Sequence, residues 1–374
     1  MLGYARSHWQ EVIVNLRLLG PFPPPFGGVA IHLVRLLELL RAHGVAAEGF
    51  SLGGTMDGRV KRFSWITALD GAPTHYHTDE GNMKWMVVLG TMWRLRRTPY
   101  IVTVHSFRDR PELHDRKWLI PLRKAYMHAR AVIAISDDVA RDLRHRLNLP
   151  DLMIDVIGSD LPISQWERSQ KPPTNIPEEW LDASMRILAN AGRVVRYMGK
   201  DLYGLDVLIE AVRGLASDVH CLIVVGEIVD EPLFNELVDA VKAVPNCHLM
   251  RSTDTPLVPL VALSHIVVRP TRTEGGRSLT LSEALELGKV AIGSDAVERP
   301  KGTILFKNED PSALRAALSS VLRSPTSGPE LQTQRIEVGE VGEFVVQRSD
   351  SSVAVPDSNV VRILELLHRH ELTR

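Results

Sequence analysis

The sequence predicts an α/β protein with two successive units, each built on a parallel β-sheet. Apolar runs of strand length alternate with amphipathic helical patterns, which is typical of parallel sheets that helices cover on both faces. The chain has 374 residues, and at roughly 100–200 residues per domain this length favours two domains. A polar, proline-containing segment over residues 164–184 interrupts the alternation and is predicted to be a linker.

The first unit is predicted over residues 1–165. It opens with a strand over residues 11–16 (EVIVNL), and a loop rich in proline and glycine follows. Residues 29–42 form a helix, because apolar side chains recur at helical spacing on one wide face, and Gly44 ends it. The remaining strands of this unit are predicted over residues 45–52, 74–77, 100–105, 131–135 and 153–157.

The second unit is predicted over residues 185–330, where the alternation restarts. Its strands are predicted over residues 186–190, 221–225, 248–250, 266–269 and 290–292, and its helices over 205–215, 234–244 and 311–322. Residues 332–356 have no clear pattern, and residues 358–372 form a terminal amphipathic helix. Ligands of open α/β sheets bind beyond the carboxyl ends of the strands, so two such units predict a ligand cleft between them.

Composition excludes several classes of protein. A chain that is 44% hydrophobic and 24% charged is globular, not disordered or fibrous. A net charge of -1 argues against a general nucleic-acid binder, which would be strongly basic. Cys221 and Cys247 are too few for a disulfide framework, so we expect reduced thiols in a cytosolic protein. No apolar run approaches about 20 residues, and the first residues show no signal-peptide core.

Two glycines, Gly27 and Gly28, precede the first predicted helix. Glycine lets a ligand approach the backbone closely, and a helix N-terminus presents free N–H groups to an anion. This turn is therefore a candidate anion site, although a plain strand–helix turn would have the same sequence.

The strongest motif is RPTRTEGGRSLTLSEALELGKVAIGSD, which covers residues 269–295. A strand leads into a loop with Glu274 and two glycines, and a helix then runs from about residues 278–280 to Gly288, a left-handed cap. Glu283 is predicted in the first helical turn, so both glutamates can face the carboxyl edge of the sheet. Two structural alternatives stay open: residues 280–283 fit a capping box, and Glu274 could be a solvated loop acid.

This motif resembles that of the GT-B glycosyltransferases, and within them the retaining group called glycosyltransferase family 4. That family has a glutamate, a glycine-rich turn and a second glutamate on a helix, with seven residues between the two; here there are eight. The resemblance extends over about residues 12–323. It includes FGGVAIHLVRLLELLRAHG, the strand ends THYH and VTVH, AVIAISDDVARDL, and Gly192-Arg193. A family Lys-Gly pair is absent, because Tyr203 precedes Gly204, and Lys200 stands nearby.

The resemblance implies a GT-B fold of two Rossmann-like, doubly wound domains that face a central cleft. Residues 1–165 would bind the acceptor, residues 185–330 the nucleotide-sugar donor, and helix 358–372 would pack back on the first domain. The implied donor and catalytic contacts are Glu283 with the ribose, Glu274 and His105 with the sugar, Arg193 and Lys200 with the diphosphate, and Gly28, Ser278, Leu279 and Thr280 with the nucleotide. GT-B enzymes generally use no catalytic metal, so no cofactor or metal is expected.

A histidine pair and a basic segment are two further features of the first unit. His75 and His77 lie on the same side of one strand and could be a metal pair, but no further ligand with zinc-like spacing is evident. Residues 94–130 carry ten basic and three acidic side chains, interleaved with Trp93, Trp118 and Tyr126. A basic surface with exposed aromatic side chains suits an anionic membrane, whereas a solvated helix face is the structural alternative. No nucleic-acid motif accompanies this segment.

The resemblance implies retaining transfer of a sugar from a nucleoside-diphosphate sugar to a glycan or lipid-linked acceptor. The expected setting is polysaccharide or cell-envelope glycan synthesis, in the cytoplasm and at the inner face of the membrane. Two alternatives are a nucleotide-sugar 2-epimerase of the same fold and a non-catalytic GT-B partner subunit.

Overall fold

The structure is a computed structural model and describes residues 16–24, 26–53, 58–79, 82–107, 111–252, 256–274, 276–323 and 356–370. The described chain divides into two compact units. Unit 1 comprises residues 16–161 and the final helix, and unit 2 comprises residues 162–323. Each unit has its own parallel sheet with helices around it. The predicted α/β class with two doubly wound units is therefore confirmed.

The sheet of unit 1 has seven parallel strands in the order β3-β2-β1-β4-β5-β6-β7. The strands are β1 (Leu16–Gly20), β2 (Ala47–Ser51), β3 (Val60–Arg62), β4 (Thr74–Thr78), β5 (Tyr100–Val104), β6 (Ala131–Ala134) and β7 (Ile154–Val156). The helices between them are α1 (Gly28–Ala42), α2 (Trp65–Leu69), α3 (Met83–Arg96), α4 (Arg116–Met127) and α5 (Asp137–Leu147). The strands β4, β5 and β6 are buried along their whole length, as expected for a sheet covered on both faces.

The first strand differs from its predicted position. It runs from Leu16 to Gly20, whereas residues 11–15 of the predicted strand lie outside the described residues. Gly20 is the last residue of the strand. A side chain has no space at this position, because a Cβ would lie 2.6 Å from Leu33 Cδ1 of α1. The glycine that looked like the start of a loop is thus a site of close helix–strand packing.

The main sheet of unit 2 has six parallel strands in the order β12-β11-β8-β13-β14-β15, and β9 and β10 form a separate antiparallel pair. The strands are β8 (Met185–Val194), β9 (Arg196–Tyr197), β10 (Lys200–Asp201), β11 (Val219–Ile228), β12 (Cys247–Arg251), β13 (Ile266–Arg269), β14 (Val290–Ser294) and β15 (Ile304–Phe306). The helices are α6 (Gln165–Ser169), α7 (Glu178–Leu181), α8 (Leu205–Val212), α9 (Glu231–Lys242), α10 (Val258–Leu263), α11 (Leu279–Glu286) and α12 (Pro311–Arg323).

The segment predicted as a linker is folded as part of unit 2. Ser164 caps α6 through a capping box with Glu167, whose carboxylate accepts hydrogen bonds from Ser164 N and Oγ. Trp180 of α7 is completely buried, and its indole Nε1 donates to Ile187 O at 2.9 Å. Polar composition predicted an extended connection here, but a helix cap and one buried tryptophan fold the segment.

The final helix, α13 (Pro356–Arg369), belongs to unit 1. Its apolar residues Val360, Ile363 and Leu367 are buried, and Asn359 Nδ2 donates to Asp160 O at 3.1 Å. The predicted helix over 358–372 extends beyond this, but residues 371–372 and the unassigned segment up to residue 355 lie outside the described residues.

Candidate functional site

The loop and the helix that carry the glutamate motif lie at the carboxyl edge of the sheet of unit 2, after the end of β13. Thr280 Oγ1 donates to Asn190 Oδ1 at 3.0 Å, and Arg269 Nη1 donates to Asn190 O at 2.8 Å. These two bonds tie the first turn of α11 and the end of β13 to Asn190 within β8, one residue beyond the part of β8 that pairs with β13. This is the position at which open α/β sheets bind ligands.

Glu274 is largely enclosed between two arginines, and 18% of its side chain is exposed. Its Oε2 accepts from Arg299 Nη1 at 2.6 Å, and its Oε1 accepts from Arg269 Nε at 2.9 Å. Burial alone would raise the pKa of Glu274, but the two guanidinium groups outweigh it and hold the pKa below its ordinary value. The alternative of a solvated loop acid is therefore wrong. The adjacent Gly275 lies outside the described residues.

Neither arginine was identified from the sequence. Arg269 closes a buried strand five residues before Glu274, which is a weak local signal. Arg299 lies 25 residues after Glu274, and no spacing rule connects the two residues. Burial of both guanidinium groups beside one carboxylate is a property of the tertiary fold.

The helix α11 begins at Leu279, with Ser278 as its N-cap residue. The capping box considered for residues 280–283 is wrong, because Glu283 lies in the second turn and the Thr280 hydroxyl is bonded to Asn190 instead. Glu283 is buried on this helix. Ser278 is also buried, and its Oγ has no hydrogen-bond partner in the described part of the chain. A buried, unpaired hydroxyl at a helix N-terminus is suited to an anionic ligand.

The two predicted diphosphate-binding cations are both on the surface. Arg193 lies at the end of β8 and pairs with Glu227, with 3.0 Å between Arg193 Nε and Glu227 Oε2. Lys200 lies on β10, and its ammonium is paired with Glu309. Arg193 thus lies on the same strand as Asn190, three residues further along, whereas Lys200 belongs to the β9–β10 hairpin.

Tyr203 and Gly204 lie between β10 and α8, next to the strand end at Arg269 and Pro270. The Tyr203 ring packs under the Arg269 guanidinium, whose Cζ is 4.7 Å from the ring centroid. Gly204 has a φ of 65°, and a Cβ at this position would lie 2.1 Å from Pro270 O. Only glycine fits here, so Gly204 fixes the start of the loop that carries Glu274.

In unit 1, Gly28 is the first residue of α1, after Gly27 as N-cap. His105 directly follows β5 and lies in a cluster of four buried histidines with His32, His75 and His77. The His77 and His105 rings are 5.3 Å apart, and His32 is 4.9 Å from His105. The prediction that His75 and His77 share one side of their strand is confirmed by a ring separation of 4.2 Å.

These imidazoles are held neutral. Burial lowers the pKa of His32 to about 4 and that of His75 to about 3, and it lowers those of His77 and His105 well below the ordinary value. One ring nitrogen in each of His32, His75 and His77 is buried without a hydrogen-bond partner among the described residues. His32 was not singled out from the sequence, because it lies 45 residues before His77.

The basic segment over residues 94–130 differs in detail from its prediction. Trp93 and Tyr126 are each about 1% exposed, because they pack into the core against the sheet, and residues 108–110 lie outside the described residues. The exposed aromatic side chains lie earlier in the chain: Trp65 and Trp85 stack with their centroids 5.6 Å apart. No helix in the described ranges is long and apolar enough to span a membrane.

Two family models match the chain. Residues 72–158 match Glycosyltransferase Family 4, and residues 186–324 match Glycosyl transferases group 1. A comparison with curated proteins returns no match. The two matched regions lie in unit 1 and unit 2, respectively.

Solved structures share the fold at low sequence identity. The catalytic domain of Starch Synthase IV from Arabidopsis thaliana, bound to ADP and acarbose, has a TM-score of 0.65 and 12% identity, and covers 97% of this chain and 100% of its own. HepE from Anabaena, in complex with UDP and glucose, has a TM-score of 0.59 and 16% identity, with 83% and 90% covered. Sucrose-phosphate synthase from Thermosynechococcus elongatus has a TM-score of 0.54 and 16% identity, with 83% and 90% covered.

Two parallel Rossmann-like sheets and these matches define a glycosyltransferase of the GT-B class. Within that class, the chain belongs to the glycosyltransferases that carry a Glycosyltransferase Family 4 domain followed by a Glycosyl transferases group 1 domain.

Proposed function

We propose that the protein transfers a sugar, with retention of anomeric configuration, from a nucleoside-diphosphate sugar to a glycan or lipid-linked acceptor in polysaccharide or cell-envelope synthesis. The observation that carries this proposal is the N-terminus of α11. There Ser278, whose hydroxyl has no hydrogen-bond partner among the described residues, precedes a helix that carries the buried Glu283 and is tied to Asn190 of β8. Solved relatives of the same fold hold UDP or ADP, which supports a nucleoside diphosphate as the leaving group.

Departure of the nucleoside diphosphate places negative charge on the leaving oxygen, and preorganised positive groups must stabilise it. The free N–H groups of Ser278, Leu279 and Thr280 and the dipole of α11 provide one such group. Arg193 provides a guanidinium whose geometry matches phosphate oxygens, once it leaves Glu227. We assign Lys200 a smaller part, because it lies on the β9–β10 hairpin and not on β8 with Arg193 and Asn190. No metal ion is needed for this step.

Glu283 is assigned to the ribose hydroxyls and Glu274 to hydroxyls of the donor sugar. Each carboxylate oxygen has two lone pairs, so Glu274 can accept from a sugar hydroxyl while Arg269 and Arg299 hold it ionised and fixed. From unit 1, Gly28 and His105 are assigned to the nucleotide and the sugar. Retention follows if the acceptor attacks on the face of the leaving phosphate, which takes the acceptor proton.

A thermal-shift screen of UDP, ADP, GDP and their sugars tests this assignment. A ligand at 100 times its dissociation constant should stabilise the protein by about 2.7 kcal/mol. The binding nucleotide sugar is then incubated with and without glycan acceptors, and the products are analysed. If the donor is epimerised in the absence of an acceptor, the assigned activity is 2-epimerisation and not transfer. If no nucleoside diphosphate binds, the protein is a non-catalytic subunit.

We also propose that unit 1 docks on an anionic membrane surface, at the cytoplasmic face, through α2, α3 and α4. Trp65 is 49% exposed and stacks on Trp85, and Ile66 beside it is 82% exposed. Between α3 and α4 lies a cavity of about 190 Å³ whose lining includes Arg94 and Lys124. A surface that combines exposed tryptophan with lysine and arginine has the composition that binds anionic lipid head groups.

A further inference from the structure

Three histidines of unit 1 meet although they come from three different elements. His32 lies on α1, His77 on β4, and His105 directly after β5. One ring nitrogen from each residue lies within 4.8 Å of the corresponding nitrogens of the other two, and all three residues are buried. The histidines are held on rigid supports, because β4 pairs with β5 along its length and His105 N donates to Thr78 O at 2.9 Å.

The hydrogen bond of His32 leaves a lone pair on its second ring nitrogen. His32 Nδ1 is 3.1 Å from Ser159 O, and a carbonyl can only accept, so the proton is on Nδ1 and Nε2 has a free lone pair. That Nε2 has no hydrogen-bond partner in the described part of the chain. A histidine whose second nitrogen donates to a backbone carbonyl is the usual form of a metal ligand.

The distances fit one ion. Zinc binds imidazole nitrogen at about 2.0–2.1 Å, which places two ligands of a tetrahedral site about 3.4 Å apart. His77 Nδ1 and His105 Nε2 are 3.0 Å apart and share a hydrogen bond, so an ion between them requires the shared proton to move, for example to His77 Nε2, which has no partner among the described residues. The His32 nitrogen lies within 4.8 Å of both, and the rings must rotate to bring it to the ligand separation. The positive charge of Arg35, one turn along α1, repels a cation at this site, but its guanidinium is fixed by a hydrogen bond to Leu161 O.

We propose that His32, His77 and His105 bind a divalent transition-metal ion, with Zn²⁺ as the best-fitting ion. Three neutral imidazoles and one open position are a ligand set that zinc accepts, whereas Mg²⁺ and Ca²⁺ prefer oxygen ligands. The ion would join α1 to the ends of β4 and β5. This inference goes beyond the proposed transfer reaction, and because His105 is also assigned to the donor sugar, ion and sugar compete for its ring.

Zinc binding is measured on the full chain without nucleotide, so the result is independent of the proposed function. Isothermal titration with Zn²⁺ should give one site per chain, and a Zn²⁺ concentration 100 times the dissociation constant should raise the melting temperature by roughly 5–10 °C. Mg²⁺ at the same concentration should have no effect. Co²⁺ should give the visible absorption bands of a tetrahedral nitrogen site.

His32→Gln removes one ligand. It should abolish the Co²⁺ bands and should weaken zinc binding at least tenfold. His75→Gln is the matched control, because this buried neighbour bonds to Thr103 and is outside the ligand set. His220→Gln controls for surface binding at the stacked His220–His248 pair of unit 2. The proposal is overturned if the wild-type protein shows no Co²⁺ bands. It is also overturned if zinc binding is lost in His220→Gln but is unchanged in His32→Gln.

Discussion

Arg299 and Glu274 form a buried ion pair, with 2.6 Å between Arg299 Nη1 and Glu274 Oε2, although 25 residues separate them in the chain. The Arg299 side chain is only 1% exposed, so its charge depends on this carboxylate and on its bonds to Ser294. Removing the carboxylate would leave two buried guanidinium groups without compensation, which makes Glu274 a structural as well as a chemical residue.

Glu274→Gln should therefore destabilise the protein by about 3 kcal/mol, the cost of breaking a buried ion pair. Chemical denaturation at pH 7 measures the free energy of unfolding. The matched control is Glu298→Gln, because the Glu298–Arg277 pair is exposed and should contribute less than about 1 kcal/mol. Equal effects of the two substitutions would contradict the buried-pair account.

The same pair predicts a pH dependence. The folded-state pKa of Glu274 lies below its ordinary value of 4.5, so its stabilisation is fully present above that pH. It is lost as the pH falls through the lower, folded-state pKa. The stability difference between wild type and Glu274→Gln should thus be constant from pH 7 to about 5 and should shrink below that. A difference that grows on acidification would mean that the pKa is raised instead.

Gly204→Ala should prevent unit 2 from folding normally, with a loss of more than about 4 kcal/mol. The new Cβ would lie 2.1 Å from Pro270 O, and the backbone φ is positive. Gly199→Ala is the control, since its φ of 80° is similar but nothing lies within 4 Å of the Cβ position. It should cost only about 1–2 kcal/mol for the left-handed conformation. Similar melting temperatures for both variants would show that the loop can move away.

Glu283→Gln should weaken binding of the nucleoside diphosphate by roughly 10- to 100-fold, because bonds from ribose hydroxyls to a charged acceptor are lost. Calorimetric titration with the nucleotide found in the screen gives the dissociation constant. Glu286→Gln, on the same helix, is the control: its carboxylate accepts from Ile163 N and pairs with Arg168, away from the proposed ligand. An unchanged dissociation constant for Glu283→Gln, or full turnover of Glu283→Ala, would refute the assignment.

Replacing Trp65 and Trp85 together by serine should reduce binding to vesicles that contain phosphatidylglycerol, in a sedimentation assay. Leu152→Ser is the control, because Leu152 is fully exposed in unit 1 but lies outside α2, α3 and α4. Lys124→Gln should cost about 1 kcal/mol, or roughly fivefold, at low salt. Equal binding to neutral vesicles, or no loss in the tryptophan variant, would exclude this surface as the docking site.

Much of the fold could be predicted from the sequence because it depends on local patterns. Strands buried on both faces appear as continuous apolar runs, and β13 was predicted at its observed bounds. The first strand was misplaced, because Gly20 was interpreted as a turn residue, whereas the packing of Leu33 requires a glycine within the strand. The capping box at residues 280–283 failed because Thr280 has a better partner, Asn190, 90 residues away.

The fold class, the resemblance to glycosyltransferases and the position of the glutamate motif between a strand and a helix could all be inferred from the amino-acid sequence. These depend on hydrophobic periodicity and short spacings, which act over one or two helical turns. The pairing of side chains depends on the folded arrangement of distant segments. This arrangement places Arg299 on Glu274, gives the Ser278 hydroxyl no partner in the described ranges, and brings His32 to His77 and His105. Parallel strands and their crossover helices bring distant residues to one edge of a sheet, and no local pattern records which of them meet.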